Sequence, residues 1–274
     1  MLIRKDMFVE LDGEIITLEE AAYRLGVPIP EPVIENCYAL DDYLSLPLVE
    51  PPYIISDGIL PRQSKALLFG APKIGKSLLA GQMGLCVSSG EKFLGYSTNI
   101  GSVIYGQCEI SSKNLQDRLS KQKVGIPNYV DGMFVETIHK LRLPSDKDGI
   151  KARLDKIHPD LLILDPLLYF FEGDLVQDVQ KVQEFNRMID EFIDEFGVSV
   201  VIIHHSRKQG EELKGIEEAL GSIAITAFYD SLIWVHSEVT GRIKNVRVEM
   251  SLRNAESPQP FIIRLDEKTL LFRK

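Results

Sequence analysis

Residues Gly70-Ala71-Pro72-Lys73-Ile74-Gly75-Lys76-Ser77 stand between two apolar runs, Ala66-Leu67-Leu68-Phe69 before them and Leu78-Leu79-Ala80 after. The stretch fits the template Gly-x-x-x-x-Gly-Lys-[Ser/Thr]. Its flanks read as a strand entering and a helix leaving, the context this motif needs. In such a turn the backbone N–H groups point inward and, with the helix N-terminus, form an anion site. Glycines let the backbone approach phosphates closely, Lys76 reaches the β- and γ-phosphates, and the Ser77 hydroxyl ligates Mg²⁺. The candidate phosphate-binding set is therefore Gly70, Ala71, Pro72, Lys73, Ile74, Gly75, Lys76, Ser77 and Leu78.

From Tyr53 onward, apolar strands alternate with helical patterns. Strands are expected at 65–70, 101–107, 133–138, 160–165 and 198–205, and helices at 76–90, 111–122, 147–158 and 176–197. In the last helix Val179, Val182, Phe185, Ile189, Phe192 and Phe196 share one face, and Gly197 stops it. Continuous apolar strands between helices imply an α/β fold, a mainly parallel sheet covered on both faces. The tail, at 230–238, 245–253 and 260–266, alternates more and predicts antiparallel strands at the C-terminal edge.

The first 50 residues read differently. Val27–Val33 and Leu46–Tyr53 are proline-dense and predict an extended linker. Between Thr17 and Gly26, Leu18, Ala21, Ala22 and Leu25 recur at helical spacing behind an acidic first turn. The stretch is also similar to the first helix and turn of small helix-turn-helix modules, but no recognition helix follows. The expected division is an N-terminal arm, 1–50, and an α/β domain that carries the phosphate loop, 51–274.

Composition narrows the partners. Forty acidic against 31 basic residues give a formal charge of −9, which excludes binding nucleic acid through overall charge and leaves only a local basic strip. The three cysteines, Cys37, Cys86 and Cys108, have no metal-ligand spacing and fit no complete disulfide framework, so free thiols in a reducing cytoplasm are expected. No apolar run is long enough for a membrane span. The N-terminus carries charges where a secretion signal needs an apolar core.

Further residues join the phosphate loop. Leu161–Asp165 is a buried strand pattern ending in an acid, at the edge where α/β sheets bind ligands, and Asp165 there can hold Mg²⁺ through water. Glu109 follows the strand after the phosphate-loop helix and can accept a proton from an attacking water. His204 and His205 end another buried strand. Neighbours on a strand face opposite ways, so at most one of them points into the site, and His204 is taken as the γ-phosphate sensor. No guanine-type Asn-Lys-x-Asp motif accompanies the loop, which favours ATP.

At these residues the chain resembles the RecA-like ATPases, closest to the branch of RepA-type plasmid helicases and replicative helicases of the DnaB kind. The resemblance runs from about Pro51 to Leu265, and Ile202-Ile203-His204-His205-Ser206-Arg207-Lys208 and Leu252-Arg253-Asn254 make it more specific than the loop alone. It implies Lys76 and Ser77 on phosphate and Mg²⁺, Glu109 as catalytic base, Asp165 near the metal and His204 as sensor. It places Arg253 where ring helicases carry an arginine finger that reaches a neighbour's ATP, and Arg118 where relatives carry an arginine near the nucleotide. Two residues before the finger, where some ring helicases have lysine, stands Ser251. The resemblance further implies a homo-oligomer, a hexameric ring, working on single-stranded DNA with other replication or repair proteins.

The two loops that would touch DNA are acidic. Residues 206–222 carry Arg207, Lys208 and Lys214 against Glu211, Glu212, Glu217 and Glu218, a poor phosphate track. Residues 169–178 offer aromatics that could stack on bases or pack inward. A ring motor on DNA leads. A nucleotide-dependent assembly switch with protein partners, and a recombinase-type filament, are the alternatives.

Overall fold

A computed structural model of the chain describes residues 8–11, 14–25, 38–46, 52–137, 142–173, 178–205, 228–240 and 243–274. The chain divides into two units, residues 1–48 and 49–274. In the first, β1 (Phe8–Leu11) and β2 (Glu14–Thr17) pair antiparallel, followed by α1 (Leu18–Leu25) and α2 (Leu40–Leu44). The helix expected from Thr17 is α1. The hairpin is an addition to the expected helix, and the dipeptide Asp12-Gly13 in the sequence favours hairpin turns. Most of both proline-dense stretches lies outside the described residues.

The second unit opens with the short pair β3 (Tyr53–Ile55) and β4 (Leu60–Pro61). The main chain path is then β5 (Lys65–Gly70), α3 (Lys76–Ser89), β6 (Val103–Gln107), α4 (Ser112–Val124), β7 (Met133–Glu136), α5 (Lys147–Ile157), β8 (Leu161–Asp165), α6 (Leu167–Phe170), α7 (Val179–Phe196) and β9 (Ser199–His205). Four strands close it: β10 (Ser231–Thr240), β11 (Ile243–Leu252), β12 (Phe261–Asp266) and β13 (Leu271–Arg273). They form one nine-stranded sheet in the order β13-β12-β11-β10-β5-β9-β8-β6-β7.

Every pair from β10 through to β7 is parallel, and β10 to β13 run antiparallel. The expected α/β architecture with antiparallel strands at the C-terminal edge holds. β10 is more interior than its place in the tail suggests. It lies parallel to β5, and Leu232, Ile233, Trp234 and Val235 are buried in succession, as in a strand covered on both faces.

Alternation sorts the strand side chains into two cores. Ala66, Leu68, Ile163, Val201 and Ile203 pack on the face of α3 and α4. Leu67, Phe69, Leu162, Val200 and Ile202 pack on the opposite face with α5, α6 and the Val182-Phe185-Ile189-Phe192 stripe of α7. Parallel pairing brings the C-terminal ends of β5, β6, β8 and β9 to one edge. Gly70 stands opposite His205, and Gln107 opposite Asp165. Among the described residues no helix is long and apolar enough to cross a membrane.

Candidate active site

The phosphate loop joins β5 to α3. A side chain at Gly70 would collide with the Val235 carbonyl oxygen at 2.0 Å, so this position must be glycine. Lys76 opens α3 and is buried, and its Nζ donates to the carbonyl oxygens of Gly70 (2.9 Å) and Ala71 (2.8 Å). Burial pushes its pKa down to about 8, against the opposing pull of Asp165 and Glu109. Pro72 and Lys73 are exposed on the outer turn.

Asp165, wholly buried, receives two hydrogen bonds. Tyr105 donates to Oδ2 at 2.7 Å and Ser77 Oγ donates to Oδ1 at 3.1 Å. Burial raises its pKa to about 6, and the two donors oppose the rise. A serine hydroxyl and a carboxylate supply oxygen donors only, the chemistry of a hard cation such as Mg²⁺. No cluster of three or more His, Cys, Asp or Glu that could cage a metal exists among the described residues. Such a cation would take most of its ligands from water and phosphate, and Ser77 and Asp165 fit that partial shell.

Glu109 follows β6 and is exposed. Its N–H and that of Ile110 both donate to Oε1 of the buried Gln107, at 3.1 and 3.0 Å, which fixes the bend that carries the carboxylate. The carboxylate lies 3.7 Å from His205 Nε2. Burial first, and then the Lys76 ammonium, pull the His205 pKa below its ordinary value, so the imidazole is neutral at pH 7. His205 Nδ1 and Gln107 Nε2 are buried with no hydrogen-bond partner among the described residues, a state that costs free energy unless a ligand satisfies it.

This geometry sets the two histidines on opposite faces of β9. Val201 and Ile203 pack on the α3 face and His205 continues their alternation; His204 continues Val200 and Ile202 toward α7. The residue beside Glu109 is His205; His204, expected as the γ-phosphate sensor, lies on the other face of β9 by alternation. Tyr105 and Gln107 were not singled out from the sequence either. They lie two apart on β6, so both face α3, and a polar residue at the end of an apolar strand was the available signal.

Arg118, on α4, is close enough to act electrostatically on the Tyr105 hydroxyl, at the rim of this site. Arg253 is not with the others. It follows the last residue of β11, its N–H donates to the Asp230 carbonyl oxygen (2.9 Å), and its guanidinium lies 3.5 Å from the Asp230 carboxylate. Asp230 N–H in turn donates to the Lys65 carbonyl oxygen, at the beginning of β5. Arg253 thus stands one strand length, about 17 Å, from its own phosphate loop. Of the aromatics after β8, Phe170 and Phe171 are buried, Phe171 edge-on to Phe185, while Tyr169 is exposed. The loop at 206–222, with Arg207, Lys208 and Lys214, lies outside the described residues.

Comparison with known proteins agrees with the fold. Among solved structures the chain is similar to a KaiC-like protein from the archaeon Pyrococcus horikoshii, with 11% identity and a TM-score of 0.56 over 83% of this chain and 99% of that one. It is also similar to a second solved structure, an isolated ATPase domain, at 11% identity and a TM-score of 0.62, covering 94% of this chain and 98% of that one. No curated protein matches. Residues 37–211 match the AAA domain family. The chain belongs to that family, built on a RecA-like P-loop fold.

Proposed function

We propose that this chain is the ATP-hydrolysing subunit of a ring-forming motor of the RepA/DnaB kind, moving on single-stranded DNA in replication or repair. The observation that carries the reading is the separation of Arg253 from the rest of the site. Lys76, Ser77, Glu109, Asp165 and His205 converge at one edge of the sheet, while the arginine that could complete them sits at the other. A head-to-tail ring brings one copy's Arg253 to the next copy's phosphate loop.

Each residue then has a task. The loop N–H groups and Lys76 bind the phosphates, and Lys76 holds its charge where negative charge develops. Glu109 accepts the proton of the attacking water. His205, neutral and within reach of Glu109, senses the γ-phosphate. Ser77 and Asp165 would hold Mg²⁺, which supplies charge neutralisation across the β- and γ-phosphates. Arg253 from the neighbouring copy stabilises transition-state charge.

A second reading, a nucleotide-dependent assembly switch with protein partners, is favoured by the net charge of −9 and the four acids between 206 and 222. ATP turnover at low salt, with and without single-stranded DNA and over a range of protein concentrations, separates the two. Stimulation by DNA that steepens with protein concentration supports the motor. Turnover indifferent to DNA rejects it in favour of the switch.

A further inference from the structure

The last strand, β13, is tied to the phosphate-loop helix by side chains. Gln82, buried in the middle of α3, matches both backbone groups of Phe272: its Oε1 accepts from the Phe272 N–H at 2.7 Å, and its Nε2 donates to the Phe272 carbonyl oxygen at 2.9 Å. A glutamine amide used this way is a short piece of β-ladder and fixes position and direction together. A second buried glutamine, Gln122 on α4, donates to the carbonyl oxygens of Leu78 (2.7 Å) and Leu270 (3.0 Å). It ties the first turn of α3 to the residue before β13.

Held so, the Phe272 ring lies against Gly75, the second glycine of the loop. A Cβ built there would stand 2.6 Å from the ring's Cζ. Gly75 has φ +103 and is the hinge where loop becomes helix, immediately before Lys76. Only glycine adopts that backbone readily, and its freedom is a liability unless something confines it. The ring does this from the side. The phosphate motif itself has no need of residue 272, so the contact calls for its own account.

We propose that Phe272 is a positioning residue for the phosphate loop, acting through Gly75, with Gln82 setting the ring in place. The proposal rests on reading residues 70–77 as the site of a nucleotide's phosphates. Loop N–H groups bind anions well only when already convergent, because ordering them on binding subtracts from affinity. Loss of the ring loosens Gly75 and weakens nucleotide binding more than it slows the bond-breaking step.

Binding of a fluorescent ATP analogue and steady-state turnover, each measured with melting temperature, test this. Wild-type binding and its loss in Lys76→Ala check the loop assignment alone; a wild type that binds no nucleotide removes that reading and this proposal together. Phe272→Ala is expected to raise Kd about tenfold and Phe272→Leu about threefold, with kcat changing less than Kd. Leu271→Ala, on the same strand but packed at Gly125, lowers the melting temperature and leaves Kd as in wild type. Should Phe272→Ala not fold, the leucine variant decides. A Phe272→Leu protein with wild-type Kd, or a Leu271→Ala protein with Kd raised as much, overturns the proposal.

Discussion

Tyr105 and Asp165 are both buried and joined by a 2.7 Å hydrogen bond from the phenol to Oδ2, which leaves Oδ1 to Ser77. The phenol thereby decides which carboxylate oxygen faces the phosphate loop. Removing it with Tyr105→Phe leaves a buried carboxylate oxygen short of a partner, a cost of about 1–3 kcal/mol. The expected result is a melting temperature lower by several degrees and a higher Mg²⁺ concentration for half-maximal turnover, read by thermal unfolding and Mg²⁺ titration. An unchanged Mg²⁺ requirement would show that Tyr105 acts on stability alone.

Lys76→Ala removes the cation proposed to hold the phosphates. Turnover is expected to fall by about a hundredfold or more. Near-normal hydrolysis would sink the phosphate-loop assignment.

The two histidines give a sharper test. His205→Ala should slow hydrolysis strongly while nucleotide still binds; His204→Ala should leave turnover within a few-fold of wild type. The reverse pattern, measured by steady-state kinetics on both, would restore the sensor role to His204.

Arg253→Ala should bind nucleotide normally and hydrolyse it about a thousandfold more slowly, the size of effect that arginine fingers have. Glu109→Ala is expected to be inactive for a different reason, the loss of the proposed base. Mixing the two variants should regain part of the activity, since some junctions then pair an intact base with an intact finger. Assembly without any recovery would rule out a site shared between copies.

Cys86 and Cys108 are buried, and burial pushes their thiols up to about 12 and about 11. Alkylation requires the thiolate. At pH 8 both thiols are protonated, so native protein should leave both unmodified by iodoacetamide and unfolded protein should label at both, as mass spectrometry reads. Labelling of Cys86 in the native state would contradict its burial.

What the sequence could and could not show follows from how local each feature is. Gly70 to Ser77 is contiguous, and its turn is dictated by its own glycines and flanks, so the loop, its strand and its helix were all legible. Asp165 was legible because an acid ending an apolar run is visible without tertiary contacts. His204 and His205 were not separable. Val200, Val201, Ile202 and Ile203 are all apolar because β9 is covered on both faces, and such a run carries no mark of which face holds the loop. The position of β10 was hidden for a related reason: its parallel partner, β5, is far away in sequence, and only the register Ser231 to Ala66 shows it inside the sheet. Tyr105 reads as one more apolar strand residue until its hydroxyl is seen on Asp165. Phe272 on Gly75 joins opposite ends of the domain and has no local signature.

That last contact has a mechanical side. β13 ends at Arg273, one residue beyond the ring that braces Gly75, and Lys274 lies over the Phe261 ring at 4.1 Å. Whatever is joined after Lys274, a natural continuation or an affinity handle, is tethered within two residues of the nucleotide pocket's brace. With Phe272 as the brace proposed above, load on that tether would reach the loop, which would make the point of attachment a poor place to pull and a direct place from which to report on what the loop holds.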